Sequence, residues 1–530
     1  MRVFKALQGH PESPRLWANL IHNIIISMDF QACHHEPCLY YAKTVKDTNH
    51  PALFLRQVDD FAVACPNSEQ ARNIISNINK ALSCEISDLG LISRFNGVDI
   101  IQSRYYLKIH NETYINKILK DKQHLLDKPI SDIPIPMHYT QDYQMQLEKD
   151  EPLNADSLKI VEKEYRFKYR QGIGEILYAL VTCRHDISFP LIKLSQYSTR
   201  PSKIHFEALA DLYRYLHQTK QDGIYYWRST PRWDLPIHDI PKCYASYDNI
   251  SPTLDLSPLL QLNPSILFAL VDSDFASDRA HRQSVTGFIL KLSGGTILAK
   301  TRYQQIIAQS STEAEFIAAA DAGKAILYVR SILDQIDIPQ YAATVLYEDN
   351  QGALLMAQAG KPTKKTRHID IKYFSIQQWT ELDLLLMKHI KTSINSADSM
   401  TKAVARTLFY RHMDYIMGRY IPEYIKEYLF SNISDNPDSS SFLPKQNNNI
   451  SESKSRLNNK DSIRNDTAEG KFSPNKYQMK SEKKNESLYD DNSAFSDETK
   501  NVKLKANILK SYVHSDITQL FSTFYKSGGR

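Results

Sequence analysis

The sequence predicts a mixed α/β chain in which two strand-and-helix units flank an all-helical one, with a disordered tail behind them. Three observations predict it. Short apolar runs of β-type residues end in carboxylates near Asp59 and again near Asp272. Apolar residues recur at helical spacing in the middle, as in Ile173, Ile176, Leu177 and Leu180, then Leu209, Leu212 and Leu216. From Ser431 to Lys500, 25 of 70 positions are Ser or Asn, too few apolar groups to offset the entropy of ordering.

With 530 residues, at about 100–200 per domain, roughly three folded units are expected. Hydrophobic residues are 42% and charged residues 24%, which excludes wholesale disorder, and a net charge of +5 is too mild to name a nucleic-acid partner. The six cysteines show no CxxC spacing, so neither a zinc site nor a disulfide framework is expected. A reducing, intracellular setting, cytoplasm or nucleus, follows. No secretory leader and no run of about 18 apolar residues is found, so no membrane partner is expected.

Clusters of Pro, Ser and Asp divide the chain. They give a first block at 1–127, a linker at 128–164, a helical block at 165–228 and a second linker at 229–261. A third block at 262–406, an extension at 407–430 and the tail at 431–530 complete it.

In the first block, Phe54 to Val63 sets Asp59 and Asp60 between apolar segments, as at a hairpin tip. Adjacent Asp residues serve ordinary turns, and paired carboxylates also serve two Mg²⁺ in nucleotidyl transfer.

The third block opens with an apolar run from Ser265 to Asp274. Strands are expected at Val285–Leu292, Thr296–Lys300 and Gln305–Gln309, with a turn at Gly294-Gly295. A helix from Ser311 to about Ile336 follows, then a strand from Ala343 to Tyr347 that delivers Glu348-Asp349, and a last strand from Leu384 to Ile390. Asp272, Glu315, Asp349 and Asp398 thereby fall at strand ends and helix starts, where they can converge on divalent metal. Each also has an ordinary role: Glu315 with Thr312 in a capping box, Asp272 at a strand end, Asp349 in a turn and Asp398 as an N-cap.

Six words occur in order within about 130 residues: Asp272-Ser273-Asp274-Phe275-Ala276-Ser277-Asp278, Ser284-Val285-Thr286-Gly287-Phe288, Ser310-Ser311-Thr312-Glu313-Ala314-Glu315-Phe316, Glu348-Asp349-Asn350-Gln351-Gly352-Ala353, Lys365-Thr366-Arg367-His368-Ile369-Asp370-Ile371 and Ala397-Asp398-Ser399-Met400-Thr401-Lys402. They resemble the ribonuclease H domain of Ty1/copia-type retrotransposon polyproteins. Upstream, Ser13-Pro14-Arg15-Leu16-Trp17, Val58-Asp59-Asp60 and Phe95-Asn96-Gly97-Val98-Asp99 resemble its reverse transcriptase palm and primer-positioning segment. Tyr169-Arg170 and Arg184-His185-Asp186-Ile187-Ser188-Phe189 resemble its helical connection.

The resemblance implies that Asp272, Glu315, Asp349 and Asp398 bind two Mg²⁺, with Mn²⁺ as the substitute, and hydrolyse RNA in an RNA–DNA hybrid. Asp59 and Asp60 become metal-binding residues of an RNA-directed DNA polymerase site. That site is expected to be incomplete, because the family's first catalytic aspartate lies on a palm strand upstream of Met1. Arg15 and Gln57 fall beside the nucleotide, Gln57 where the family has Tyr. The partners implied are an RNA–DNA hybrid, an RNA template with a DNA primer, and other products of the same polyprotein. Between the third and fourth carboxylates, Lys361, Lys364, Lys365, Arg367 and His368 form a basic loop suited to a phosphate backbone. The second reading is a degenerate or co-opted fragment that binds nucleic acid without turnover.

Overall fold

Three sheets organise the chain in a computed structural model that describes residues 10–45, 51–82, 86–102, 106–127, 134–227, 266–278, 281–358 and 370–419. The expected tail at 431–530 and the basic residues Lys361, Lys364, Lys365, Arg367 and His368 lie outside the described residues.

The first sheet is antiparallel, in the order β1 (Gln31–Ala32), β2 (Leu39–Ala42), β3 (Ala52–Gln57) and β4 (Asp60–Ala64). Helices α1 (Ser13–Ile26) and α2 (Ser68–Ala81) bury Ile21, Ile25, Ile74 and Ile78 with Phe30, Tyr40 and Phe54 of the sheet region. The β3–β4 hairpin stands where the apolar runs around Asp59 and Asp60 predict it, and its tip is Val58-Asp59.

The second sheet, also antiparallel, runs β5 (Arg94–Phe95), β6 (Val98–Gln102), β7 (Tyr106–His110) and β8 (Gly223–Trp227). Here the structure differs from an all-helical 165–228. The aromatic run ending that block finds a free edge on β7, with Tyr106 opposite Trp227, so the first and second blocks share a sheet.

Helices α3 (Glu112–Leu119), α4 (Gln141–Lys149), α5 (Ala155–Tyr165), α6 (Tyr169–Thr182), α7 (Ser188–Ser195) and α8 (Lys203–Gln218) fill the interval. Two of them, α4 and α5, occupy much of the stretch read as a linker at 128–164. Among the described residues its prolines, Pro134, Pro136 and Pro152, fall outside these helices, Asn154 caps α5 through Ser157 N–H at 2.8 Å, and Leu147, Val161 and Tyr165 are buried.

The third sheet is mixed, ordered β11 (Gly295–Tyr303), β10 (Val285–Leu292), β9 (Phe268–Asp274), β12 (Thr344–Glu348) and β13 (Leu385–His389). Pairing is antiparallel from β11 to β9 and parallel from β9 to β13. The strand expected at Gln305–Gln309 does not form. The hairpin partner β11 already ends at Tyr303, and the next residues turn to start a helix, leaving Ile306 and Ile307 exposed.

Both faces of this sheet are covered, as parallel pairing requires. On one face α9 (Ser311–Gln335), α10 (Gln351–Gln358) and α11 (Asp370–Glu381) enclose Ala269, Val271, Leu290 and Leu346 with Phe316, Ala319, Ile326 and Trp379. On the other, Phe268, Leu270 and Ile289 meet Met400 of α12 (Asp398–Thr401), Phe409 and Met413 of α13 (Arg406–Ile416), and the helical block. No helix among the described residues is long and apolar enough to cross a membrane.

Candidate metal centre

At the end of β9 the alternation of strand side chains sends Phe268, Leu270 and Asp272 to one face and Ala269 and Val271 to the other. Asp272 is therefore carried on a rigid strand, 3% exposed. Its cross-strand partner on β10 is Gly287. A Cβ there would lie 2.6 Å from Thr401 Cγ2 and 2.7 Å from Met400 Cβ, so the missing side chain is what lets α12 settle over Asp272. Asn395 Nδ2 donates to Val271 O at 2.9 Å and holds the entry to that helix. Thr401 then donates its hydroxyl to Asp272 Oδ2, and Lys402 Nζ lies 3.0 Å from Asp398 Oδ1 and 4.0 Å from Asp272 Oδ2.

Glu315 is freed from the capping role that its spacing allows. The N-cap of α9 is Ser310, whose Oγ accepts from Glu313 N–H at 3.2 Å, while Glu313 Oε2 accepts from Gln309 N–H at 2.8 Å. The reciprocal capping bonds thus involve Glu313, and Glu315 turns inward, 7% exposed. Asp349 is released in the same way. Asn350 Oδ1 accepts from Ala353 N–H at 3.0 Å and does the turn's work, with Thr392 hydrogen-bonded to Asp349. At α12 the N-cap position is Ala397, so Asp398 is not the cap.

One oxygen each of Asp272, Glu315 and Asp349 lies within 4.8 Å of the others. Asp398 stands beside this trio, hydrogen-bonded to Asp272. Asp274, the neighbour on the same strand, is outside the trio. Burial raises the pKa of Asp272 to about 6, against the pull of Lys402 and with the push of Asp398. Burial also raises Glu315, with Glu348, Asp272 and Asp349 adding to it, and Asp349 and Asp398 rise mainly through burial. Carboxylates crowded out of water need positive charge. Glu315 Oε2 is buried and has no hydrogen-bond partner among the described residues. Hard oxygen donors with buried, unfilled lone pairs suit a divalent cation, so the residues fit one.

A family model described as reverse transcriptase (RNA-dependent DNA polymerase) matches residues 1–137. The retrovirus-related Pol polyprotein from transposon TNT 1-94 of Nicotiana tabacum is 26% identical over 410 residues, covering 77% of this chain and 27% of its own length. That from transposon RE1 of Arabidopsis thaliana is 24% identical over 408 residues, covering 77% of this chain and 24% of its own. The chain is similar to the Pol polyproteins of Ty1/copia-type retrotransposons. It spans about a quarter of the length of these curated relatives. Among solved structures, the compost-derived LC11-RNase H1 matches 26% of this chain and 93% of its own, at 17% identity and a TM-score of 0.21.

The other expected site residues fall apart from the trio. Asp59 is in the exposed hairpin tip and Asp60 opens β4 opposite Gln57. No third carboxylate joins them among the described residues. Arg15 pairs with Glu12, Nε to Oε2 at 3.1 Å, on the exposed side of α1. Three residues at the centre escaped the sequence reading as site residues: Glu348, Thr401 and Lys402. The signal for Glu348 was available in β12, where Thr344, Leu346 and Glu348 are the buried alternation and Val345 and Tyr347 the half-buried one.

Proposed function

We propose that this chain hydrolyses the RNA strand of RNA–DNA hybrids at a two-cation centre built from Asp272, Glu315 and Asp349, with Asp398 completing it. The observation that carries this reading is the convergence of three carboxylate oxygens within 4.8 Å at the end of a rigid sheet. Two bound Mg²⁺, or Mn²⁺ in their place, would clamp the attacking and leaving oxygens of a phosphodiester.

The chain's own residues prepare the site. Asp272 is held by Thr401 and Asp398 by Lys402, so neither carboxylate must be ordered when a cation and substrate arrive. Burial keeps water from screening the charges, and this sharpens the demand for cations. Lys361, Lys364, Lys365, Arg367 and His368 would track the phosphate backbone and set affinity rather than sequence preference.

For the first block the same reading gives Asp59, Asp60, Arg15 and Gln57 a polymerase ancestry and a role in holding template and primer. The isolated position of the Asp pair on a hairpin tip favours holding over synthesis.

The test is the full chain with a labelled RNA–DNA hybrid in Mg²⁺, beside Asp349→Asn and an excess of chelator. RNA-strand cleavage that disappears in both controls is expected. A folded chain that binds the hybrid and leaves it intact in Mg²⁺ and Mn²⁺ would overturn hydrolysis in favour of binding alone.

A further inference from the structure

Next to Asp349, at the end of β12, lies a further buried carboxylate that the motif reading passes over. On β12, Leu346 packs into the core under α9, whereas Tyr347 packs against the opposite core. The period of two therefore carries Glu348 to the α9 face, where Glu315 descends from the start of that helix. Glu348 is 0% exposed. Its Oε1 accepts from Asn350 N–H at 3.0 Å, and its Oε2 has no hydrogen-bond partner among the described residues. Glu315 Oε2 is in the same condition. Burial raises the pKa of Glu315, and the neighbouring charges of Glu348, Asp272 and Asp349 add to it. Lys402 is paired to Asp398 and Asp272 instead.

A carboxylate buried in a core without a counterion is expensive, and two whose charges repel one another are more so. Supporting the turn at Asn350 does not require the charge, because a glutamine carbonyl would accept the same N–H. A leucine or threonine, as at the two preceding positions of this face, would fill the space without the penalty. The charge and the free oxygen are left to be explained, and a cation explains both.

We propose that Glu348 is a further carboxylate of the metal centre, holding a divalent cation jointly with Glu315 on the α9 side of the sheet. This rests on the reading of the cluster as a metal centre.

The experiment is Mn²⁺ titration of the full chain by calorimetry, comparing wild type, Glu348→Gln and Asp349→Asn, together with melting of each in chelator. Glu348→Gln keeps the shape and the acceptor for Asn350 and removes the charge. The expected result is loss of one Mn²⁺, or about tenfold or more weakening of one binding event. The metal-free melting temperature should be unchanged or raised. Should Glu348→Gln fail to fold, Glu348→Asp, which withdraws the carboxylate by one methylene, is expected to weaken the same event. Unchanged Mn²⁺ stoichiometry and affinity in a folded Glu348 variant, with binding lost in Asp349→Asn, would overturn the role of Glu348 alone. A wild-type chain that binds no Mn²⁺ would overturn it together with the metal centre.

Discussion

Lys402 sets its ammonium 3.0 Å from the Asp398 carboxylate, four residues earlier, and the pair reaches across to Asp272 on the central strand. Burial opposes the lysine's charge, but Asp272 and Asp398 outweigh it and hold the pKa above the usual lysine value. The lysine thus serves as an internal counterion at the site.

Lys402→Met should therefore lower the melting temperature in chelator and enlarge the rise on adding Mn²⁺. The side chain is 39% exposed, so solvent screening limits the metal-free loss to about 1 kcal/mol. Thermal melts in both conditions check it, and an unaltered Mn²⁺-induced rise would refute the counterion role.

Gly323 lies mid-way along α9 against Trp379 of α11, which is fully buried. A Cβ at this glycine would meet Trp379 Cζ3 at 2.4 Å and Cε3 at 2.8 Å. Alanine gains up to about 1 kcal/mol in helix propensity, yet overpacking costs about 1–3 kcal/mol, and a walled-in indole cannot retreat. Gly323→Ala is expected to be destabilised in urea denaturation. A more stable variant would show that the two helices have room to separate.

Val58 holds φ +54 at the tip of the β3–β4 hairpin and is 63% exposed. The left-handed region costs an L-residue about 1–2 kcal/mol, and little packing is lost on truncation here. Trp17 Nε1 donates to the Val58 carbonyl at 3.0 Å, a bond that glycine retains. Val58→Gly should be stabilised by up to about 1 kcal/mol, after the added freedom of the unfolded chain is counted. Equal or lower stability by urea midpoint would contradict strain at the tip.

Lys291 on β10 is buried over the Tyr415 ring, 3.9 Å from its centroid, and donates to the Tyr415 carbonyl. Burial pushes its pKa from 10.5 down to about 7. Between these values the unfolded chain carries a proton that the folded chain lacks, so stability rises with pH. Lysine's contribution is complete above 10.5 and is lost as the pH falls to about 7. The slope is up to about 1.4 kcal/mol per pH unit. Lys291→Met should remove that slope and be more stable at pH ~7, with Gly418 N–H still occupying the carbonyl at 3.2 Å. Parallel urea-midpoint profiles for the two proteins between pH ~7 and ~9 would exclude the effect.

Residues whose structure depends on near neighbours were readable in order. The strand from Val285 to Leu292, the helix from Ser311 and the hairpin at Asp59 and Asp60 follow from local periodicity and turn chemistry, and they stand where that reading puts them. The four acidic positions were readable as candidates because strand ends and helix starts are local features too. Gln305–Gln309 misled, since two isoleucines between glutamines look like a strand and nothing local says that β11 has already used the hairpin pairing.

Pairing over long separation had no local trace. β8 joins β7 because an unpaired edge and an aromatic strand happen to meet in space. The division of labour between Glu313 and Glu315, the hydroxyl of Thr401 on Asp272, and the descent of Glu348 under α9 all depend on which face of the third sheet each helix covers. Periodicity along a chain states that two faces differ. Only packing, through the burial it imposes and the partners it brings, assigns each face its neighbours and thereby turns a row of separated carboxylates into one centre.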